Sequence, residues 1–224
     1  KEHFSTLKGG NWGEPTYETF SFELSFFVPH DMESLVRKCG GEKAFTQRLD
    51  TFFTHKIWDQ RYHIGLFQIA NEPGFLIPTL YNYVNQQNKT AKIVRYILKN
   101  RYKTTRDGIP GNDDSGSMSA WYIFHSLGFY PNAGQDVYLI SSPIFKETII
   151  HLENGKALKI VTKKNNDKNI YIQSATLNGK PLTKNWFRHG DISEGGTLEF
   201  IMGPKPSKWS QNGELPPSMS NNHR

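Results

Sequence analysis

Gly111-Asn112-Asp113-Asp114-Ser115-Gly116 runs into Met118-Ser119-Ala120-Trp121-Tyr122-Ile123-Phe124, and Gly128 and Pro131 close the stretch. Two adjacent carboxylates sit between glycines, whose backbone freedom lets main chain and carboxylates come close to a ligand. A plainer reading of the same residues makes Asp114 or Ser115 an N-cap, accepting hydrogen bonds from the first N–H groups of a helix. The residues from Ser117 to Leu127 are apolar nearly all round, as in a helix packed on both sides. Gly128 stops it and Pro131 follows. This stretch divides the chain, because the apolar spacing is helical before it and strand-like after it.

Upstream, Asp31 to Lys38 reads as a short helix that stops at Gly40-Gly41. Glu42 to His55 carries Ala44, Phe45, Leu49, Phe52 and Phe53 at helical spacing. Asp59 to Pro78 is rich in turn formers, and Leu80 to Val84 is a short aromatic helical piece. Lys89 to Lys103 places Ile93, Val94, Ile97 and Leu98 on one face and basic residues elsewhere, an amphipathic helix. Downstream, Thr148–Leu152 and Leu158–Val161 flank Asn154-Gly155, a hairpin signature. A second Asn-Gly turn stands at Asn178-Gly179, between the runs at 169–177 and the closing strand at 197–202. From Pro204 the chain is rich in Pro, Ser and Asn, a composition of loose chain beyond Trp209. Helices in one block and strands in the next indicate an α+β chain.

The 224 residues suit one large domain or two small ones. The formal net charge is +6, but the basic residues are scattered rather than gathered in a stripe, which argues against a nucleic-acid surface. No apolar run is long enough to span a bilayer, and the opening Lys-Glu-His-Phe has no signal-peptide character. The single cysteine, Cys39, excludes an internal disulfide and a cysteine-built zinc site. Asn88-Lys89-Thr90 is a glycosylation sequon, meaningful in a secreted protein.

Three polar constellations stand out. Tyr17-Glu18 and Phe22-Glu23 lie among aromatic rings, where desolvation raises a carboxyl's pKa toward the range a general acid needs; on composition alone these glutamates equally suit a solvent face. Asn71-Glu72-Pro73 offers an amide and a carboxylate, oxygen donors suited to Ca²⁺ or to sugar hydroxyls, or simply an ordinary turn. The third is the Asp113-Asp114 loop. Two carboxyl groups, one neutral and one ionised, are the minimum kit for glycoside hydrolysis.

Taken together, Tyr17-Glu18 through Ser25-Phe-Phe-Val-Pro-His-Asp31, Asn71-Glu72-Pro73 with Ile77-Pro78, Gly111-Asn-Asp-Asp-Ser-Gly116, Met118-Ser-Ala-Trp121 and Leu127-Gly-Phe-Tyr-Pro131 carry a family resemblance. Over roughly residues 11 to 209 the chain resembles the C-terminal part of glycoside hydrolase family 92, the calcium-dependent exo-acting α-mannosidases. The resemblance implies the later helices of an (α/α)6 barrel in residues 1–130. Antiparallel strands would follow in 131–209, packing on a β-sandwich domain missing from this chain, with 210–224 as a loose tail. A partial barrel cannot bury its helices alone, so another chain or a longer precursor is expected to supply the rest.

The same resemblance implies that terminal α-mannosidic bonds, of α-1,2 type in N-glycan-like mannosides, are hydrolysed with inversion, with Ca²⁺ holding the mannose. Glu18 matches the general acid, and Asp114, with Asp113 beside it, the general base. Asn71, Glu72, Phe22 and Asn112 would contact substrate, with Glu72 and Asn71 near the metal. A secreted or periplasmic setting goes with this reading. The chain departs from the family pattern at Thr19 and Phe22, where many relatives carry Gly and Trp, and at Phe75 and Leu76, where relatives often carry two histidines. These changes leave open a non-catalytic carbohydrate-binding or storage relative that keeps the fold.

Overall fold

The computed structural model describes residue 19 and residues 21–54, 63–64 and 66–223. They form two compact units. The first draws on Lys1–Pro78, Arg101–Ser119 and Ser218–Arg224, and the second on Thr79–Asn100 and Ala120–Pro217.

The first unit is organised by phenylalanines. It contains helices α1 (Ser21–Leu24), α2 (Met32–Lys38) and α3 (Glu42–Thr54), a minimal hairpin of β1 (His63–Ile64) and β2 (Phe67–Gln68), and a 3₁₀ turn at Glu72–Gly74. Asp31 caps α2, accepting from the Ser34 amide at 3.4 Å, with Glu33 in the first turn and Arg37 and Lys38 in the last, as the helix dipole favours. In α3, Phe45, Leu49, Phe52 and Phe53 are buried, four positions that share one helical face. Phe52 meets Phe26 edge-on at 5.3 Å between centroids and Phe67 at 6.2 Å. Such tilted pairs add to the burial term.

The second unit holds most of the 3₁₀ stretch Ile77–Val84, then α4 (Gln87–Asn100), the body of α5 (Ser117–Leu127) and two sheets. One sheet has the order β3 (Phe129–Pro131), β4 (Val137–Ile140), β9 (Trp186–Arg188). The other has the order β5 (Glu147–His151), β6 (Ala157–Lys163), β10 (Gly196–Gly203), β7 (Tyr171–Leu177), β8 (Lys180–Pro181). Both Asn-Gly turns make hairpins. Asn178 and Gly179 have φ of 52° and 76°, the left-handed pair that a two-residue connection between β7 and β8 requires. The resemblance implies antiparallel strands throughout, but β6 and β10 run parallel, Leu158 opposite Gly196. Hairpin signals report only neighbouring strands, and this pair is joined through β7 and beyond.

A buried amide knits helix to strand inside this unit. Asn82 donates to the carbonyls of Ile140 and Asn185 at 2.8 and 3.0 Å and accepts from the Thr90 hydroxyl at 2.8 Å. The sequon threonine is therefore a core residue.

The chain beyond Trp209 is held more firmly than its composition suggests. Trp186 donates from its indole to the carbonyl of Glu214 at 2.9 Å. In the first unit, Ser218 and Ser220 give their hydroxyls to the Asp31 carboxylate at 2.9 and 2.7 Å. Burial pushes the Asp31 carboxyl up, but the bonds from Ser220, Ser34 and Ser218 outweigh it and hold the group well below the usual carboxylate range. α5 also departs from the expectation of a helix packed on both sides, since Ile123 is 57% exposed.

Candidate active site

The glycine-flanked loop gives its two carboxylates different surroundings. Asp113 adopts a left-handed backbone, φ 60°, and accepts from both the amide and the hydroxyl of Ser119, each at 2.8 Å. It caps the start of α5, satisfying a donor that the helix cannot pair internally. Neither Asp114 nor Ser115 takes that role. Asp114 lies exposed at the next position, and Asn112 is exposed as well. Gly111 fixes the other end of the loop, for a Cβ there would stand 2.7 Å from the Ala70 carbonyl oxygen and 2.9 Å from Met118 Sδ.

Ala70 leads into the second constellation. Glu72 accepts from the Ser117 hydroxyl at 3.0 Å, which ties the Asn71–Gly74 turn to the first residue of α5. On its other side the turn meets α1 so closely that a Cβ on Gly74 would be 2.6 Å from Glu23 Oε1. The Glu23 carboxyl accepts from the Thr19 hydroxyl and is only 2% exposed. Burial pushes it up to about 7, against the opposing hydrogen bonds from Thr19 and the Gln68 backbone. All three constellations thus meet within the first unit: Glu23 against Gly74, Glu72 against Ser117, and Asp113 against Ser119.

Other expected site residues fall as follows. Glu18 lies outside the described residues. Phe22 is 6% exposed, stacked on Phe26 at 5.7 Å with the Arg48 guanidinium 4.1 Å from its centroid, so its ring serves the core rather than an open sugar face. Phe75 and Leu76 are buried too. Among the described residues no three His, Cys, Asp or Glu side chains converge on a common point. Ca²⁺ takes about six to eight oxygens, so Asn71 and Glu72 do not make a calcium cage by themselves. Sequence reading missed Ser117 and Ser119, the two hydroxyls that lock the site. Their spacing, two residues apart directly after the loop, was the available signal.

Residues 1–204 match the model of the glycosyl hydrolase family 92 catalytic domain, and the chain belongs to that family. It is 39% identical over 211 residues to an uncharacterized secreted glycosidase of Arthroderma benhamiae, a match covering 92% of this chain and 26% of that protein. Among solved structures it is similar to a family 92 α-mannosidase of Bacteroides thetaiotaomicron in complex with mannoimidazole, with TM-score 0.92, 30% identity, and 98% of this chain against 31% of that one covered. It is also similar to a family 92 inverting mannosidase of the same organism, with TM-score 0.84, 29% identity, and 98% and 32% covered. The chain therefore spans a third or less of the length of these relatives.

Proposed function

We propose that this chain forms part of an inverting exo-α-mannosidase, contributing the later helices of an (α/α)6 barrel and the strands beyond it. The observation that carries the reading is the exposed Asp114 on a loop locked by Asp113, Glu72 and their serine partners, in a chain of this family. Asp114 takes a proton from water as that water attacks the anomeric carbon. Glu18 gives a proton to the glycosidic oxygen on the opposite side as the C–O bond breaks, and β-mannose leaves. The two carboxyl groups of an inverting pair stand roughly 6.5–9.5 Å apart. Asn71 and Glu72 orient the sugar hydroxyls. Calcium binding belongs to the same proposal, with Asn71 and Glu72 as two oxygen donors among ligands drawn largely from beyond the described residues. The substrate class is α-1,2-linked mannoside of N-glycan type. The secreted character of the Arthroderma relative supports an extracellular setting, and no helix among the described residues is long and apolar enough to cross a membrane. The rest of the barrel and the β-sandwich come from a longer precursor or a second chain, which co-purification tests.

The deciding experiment is mannose release from α-1,2-mannobiose by the complete protein, followed by NMR. β-Mannose appears first, chelator suppresses turnover, and Asp114→Asn lowers kcat about 100- to 10,000-fold, the range for a lost general base. Undiminished turnover by Asp114→Asn, or α-mannose as first product, refutes the mechanism. A second reading, a non-catalytic carbohydrate-binding relative, draws on the buried apolar Phe75 and Leu76. It requires mannose binding in the complete protein without any turnover.

A further inference from the structure

We propose that Glu23 is a positioning residue, whose buried carboxyl holds Thr19 and the Asn71–Gly74 turn together so that the turn's polar side chains face a bound glycan in one register. The inference rests on the mannosidase reading for its functional half, and on geometry within the first unit for its structural half.

Glu23 sits on α1 with its side chain buried, and burying a carboxyl is costly. An apolar side chain of similar volume fills such a place with less penalty. What the carboxyl does instead is specific. It accepts from the Thr19 hydroxyl, and Thr19 directly follows Glu18 in the sequence. The carboxyl also takes a hydrogen bond from the Gln68 backbone, and its second oxygen, Oε1, is fully buried. That oxygen stands where the side chain of any residue but glycine at position 74 would begin. The Gly74 Cβ position is also 3.1 Å from the Gln68 carbonyl oxygen and 3.2 Å from Phe67 Cε2, so the turn is wedged between Glu23 and β2. Two residues before Gly74 stands Glu72, already fixed to Ser117. Glu23 is too deeply buried to touch substrate, so its influence passes through the residues it holds.

The test uses the complete protein with Glu23→Leu, Glu23→Gln and Thr19→Val. Three measurements are made on each: kcat and KM on α-1,2-mannobiose, the melting temperature, and hydrogen exchange in peptides covering residues 66–75. Glu23→Leu keeps the volume and discards the acceptor. It lowers kcat about 10- to 100-fold, the scale of a small misplacement of reacting groups, with KM and melting temperature maintained, and it speeds exchange across 66–75. Glu23→Gln keeps an acceptor for Thr19 and stays within about threefold of the parent. Thr19→Val reaches the same bond from its other end and reproduces the kcat loss even if Glu23→Leu fails to fold. Purely structural packing predicts the reverse order, with Leu tolerated. Parent-like exchange and kcat in both Glu23→Leu and Thr19→Val overturn the proposal, as does a Glu23→Gln variant as impaired as Glu23→Leu. If the parent releases no mannose, the mannosidase reading fails and the exchange data alone decide whether Glu23 holds the turn.

Discussion

His125 provides a test of the second unit that depends on no functional assumption. It lies on α5, fully buried, with its ring 4.1 Å from that of Trp121 and stacked on Tyr130 at 4.7 Å and 1°. Both ring nitrogens lack a hydrogen-bond partner among the described residues. Burial alone pushes the imidazole down from its ordinary 6.5 to about 3. The unfolded chain then binds a proton below pH 6.5 that the folded protein refuses, so stability is present in full above pH 6.5 and lost as the pH falls toward 3. The loss approaches about 1.4 kcal/mol per pH unit. At pH 5 that amounts to about 2 kcal/mol relative to pH 8. His125→Phe keeps a flat ring between Trp121 and Tyr130 and cannot titrate. Urea unfolding of parent and variant at pH 8 and pH 5 isolates the effect, because every other titrating group cancels in the difference. The variant gains about 2 kcal/mol on the parent between the two pH values. It is also more stable at pH 8, since it no longer buries an unpaired N–H. A difference between the two proteins that is the same at both pH values refutes the reasoning, and would mean that the ring is reached by water or paired.

Three further substitutions test the first unit. Asp113→Ala removes the acceptor for the Ser119 amide and hydroxyl and costs about 1–2 kcal/mol, the worth of a helix cap; calorimetry reads the loss, and mannose release falls with it because Asp114 rides on the same loop. Asp31→Ala leaves Ser218 and Ser220 without their acceptor, and limited proteolysis then cuts the chain after Pro217 while the parent resists. Gly74→Ala drives a methyl group against Glu23 Oε1 and lowers stability by about 1–3 kcal/mol, the cost of overpacking; a melting temperature equal to the parent's would show that the turn has room to move.

What could be read from the sequence was local. The end of α5 at Gly128 and the tight turn at Asn178-Gly179 follow from backbone preferences that a single residue declares. The inner face of α3 follows from spacing. What could not be read was non-local. Nothing in Asp31 announces that two serines 187 and 189 residues away will bind it, and a tail rich in Ser and Pro looks loose until its acceptors are known. The parallel pairing of β6 with β10 is hidden for the same reason. Phe22 illustrates a third limit: an aromatic residue near a proposed acid looks the same in sequence whether its face is open to a sugar or taken by Phe26 and Arg48.

The loop at 111–116 shows why adjacent identical residues can still have different roles. Asp113 and Ser115 both have left-handed backbones, φ 60° and 56°, an arrangement that costs of the order of 1 kcal/mol or more for each non-glycine residue. Aspartate tolerates that conformation better than most residues, and here the Asp113 carboxylate offsets part of the cost by capping α5. With Asp113 committed, its neighbour is left exposed next to a residue tied to α5. A base that must deprotonate water needs both properties, access to solvent and a fixed position relative to the sugar. Under the proposed mannosidase function, the cap and the catalytic base, alternatives when the sequence is read alone, are neighbours that depend on each other. Asp113→Ala is therefore expected to lower kcat without touching the reacting atoms, whereas Asp114→Asn lowers it with the loop and the cap intact.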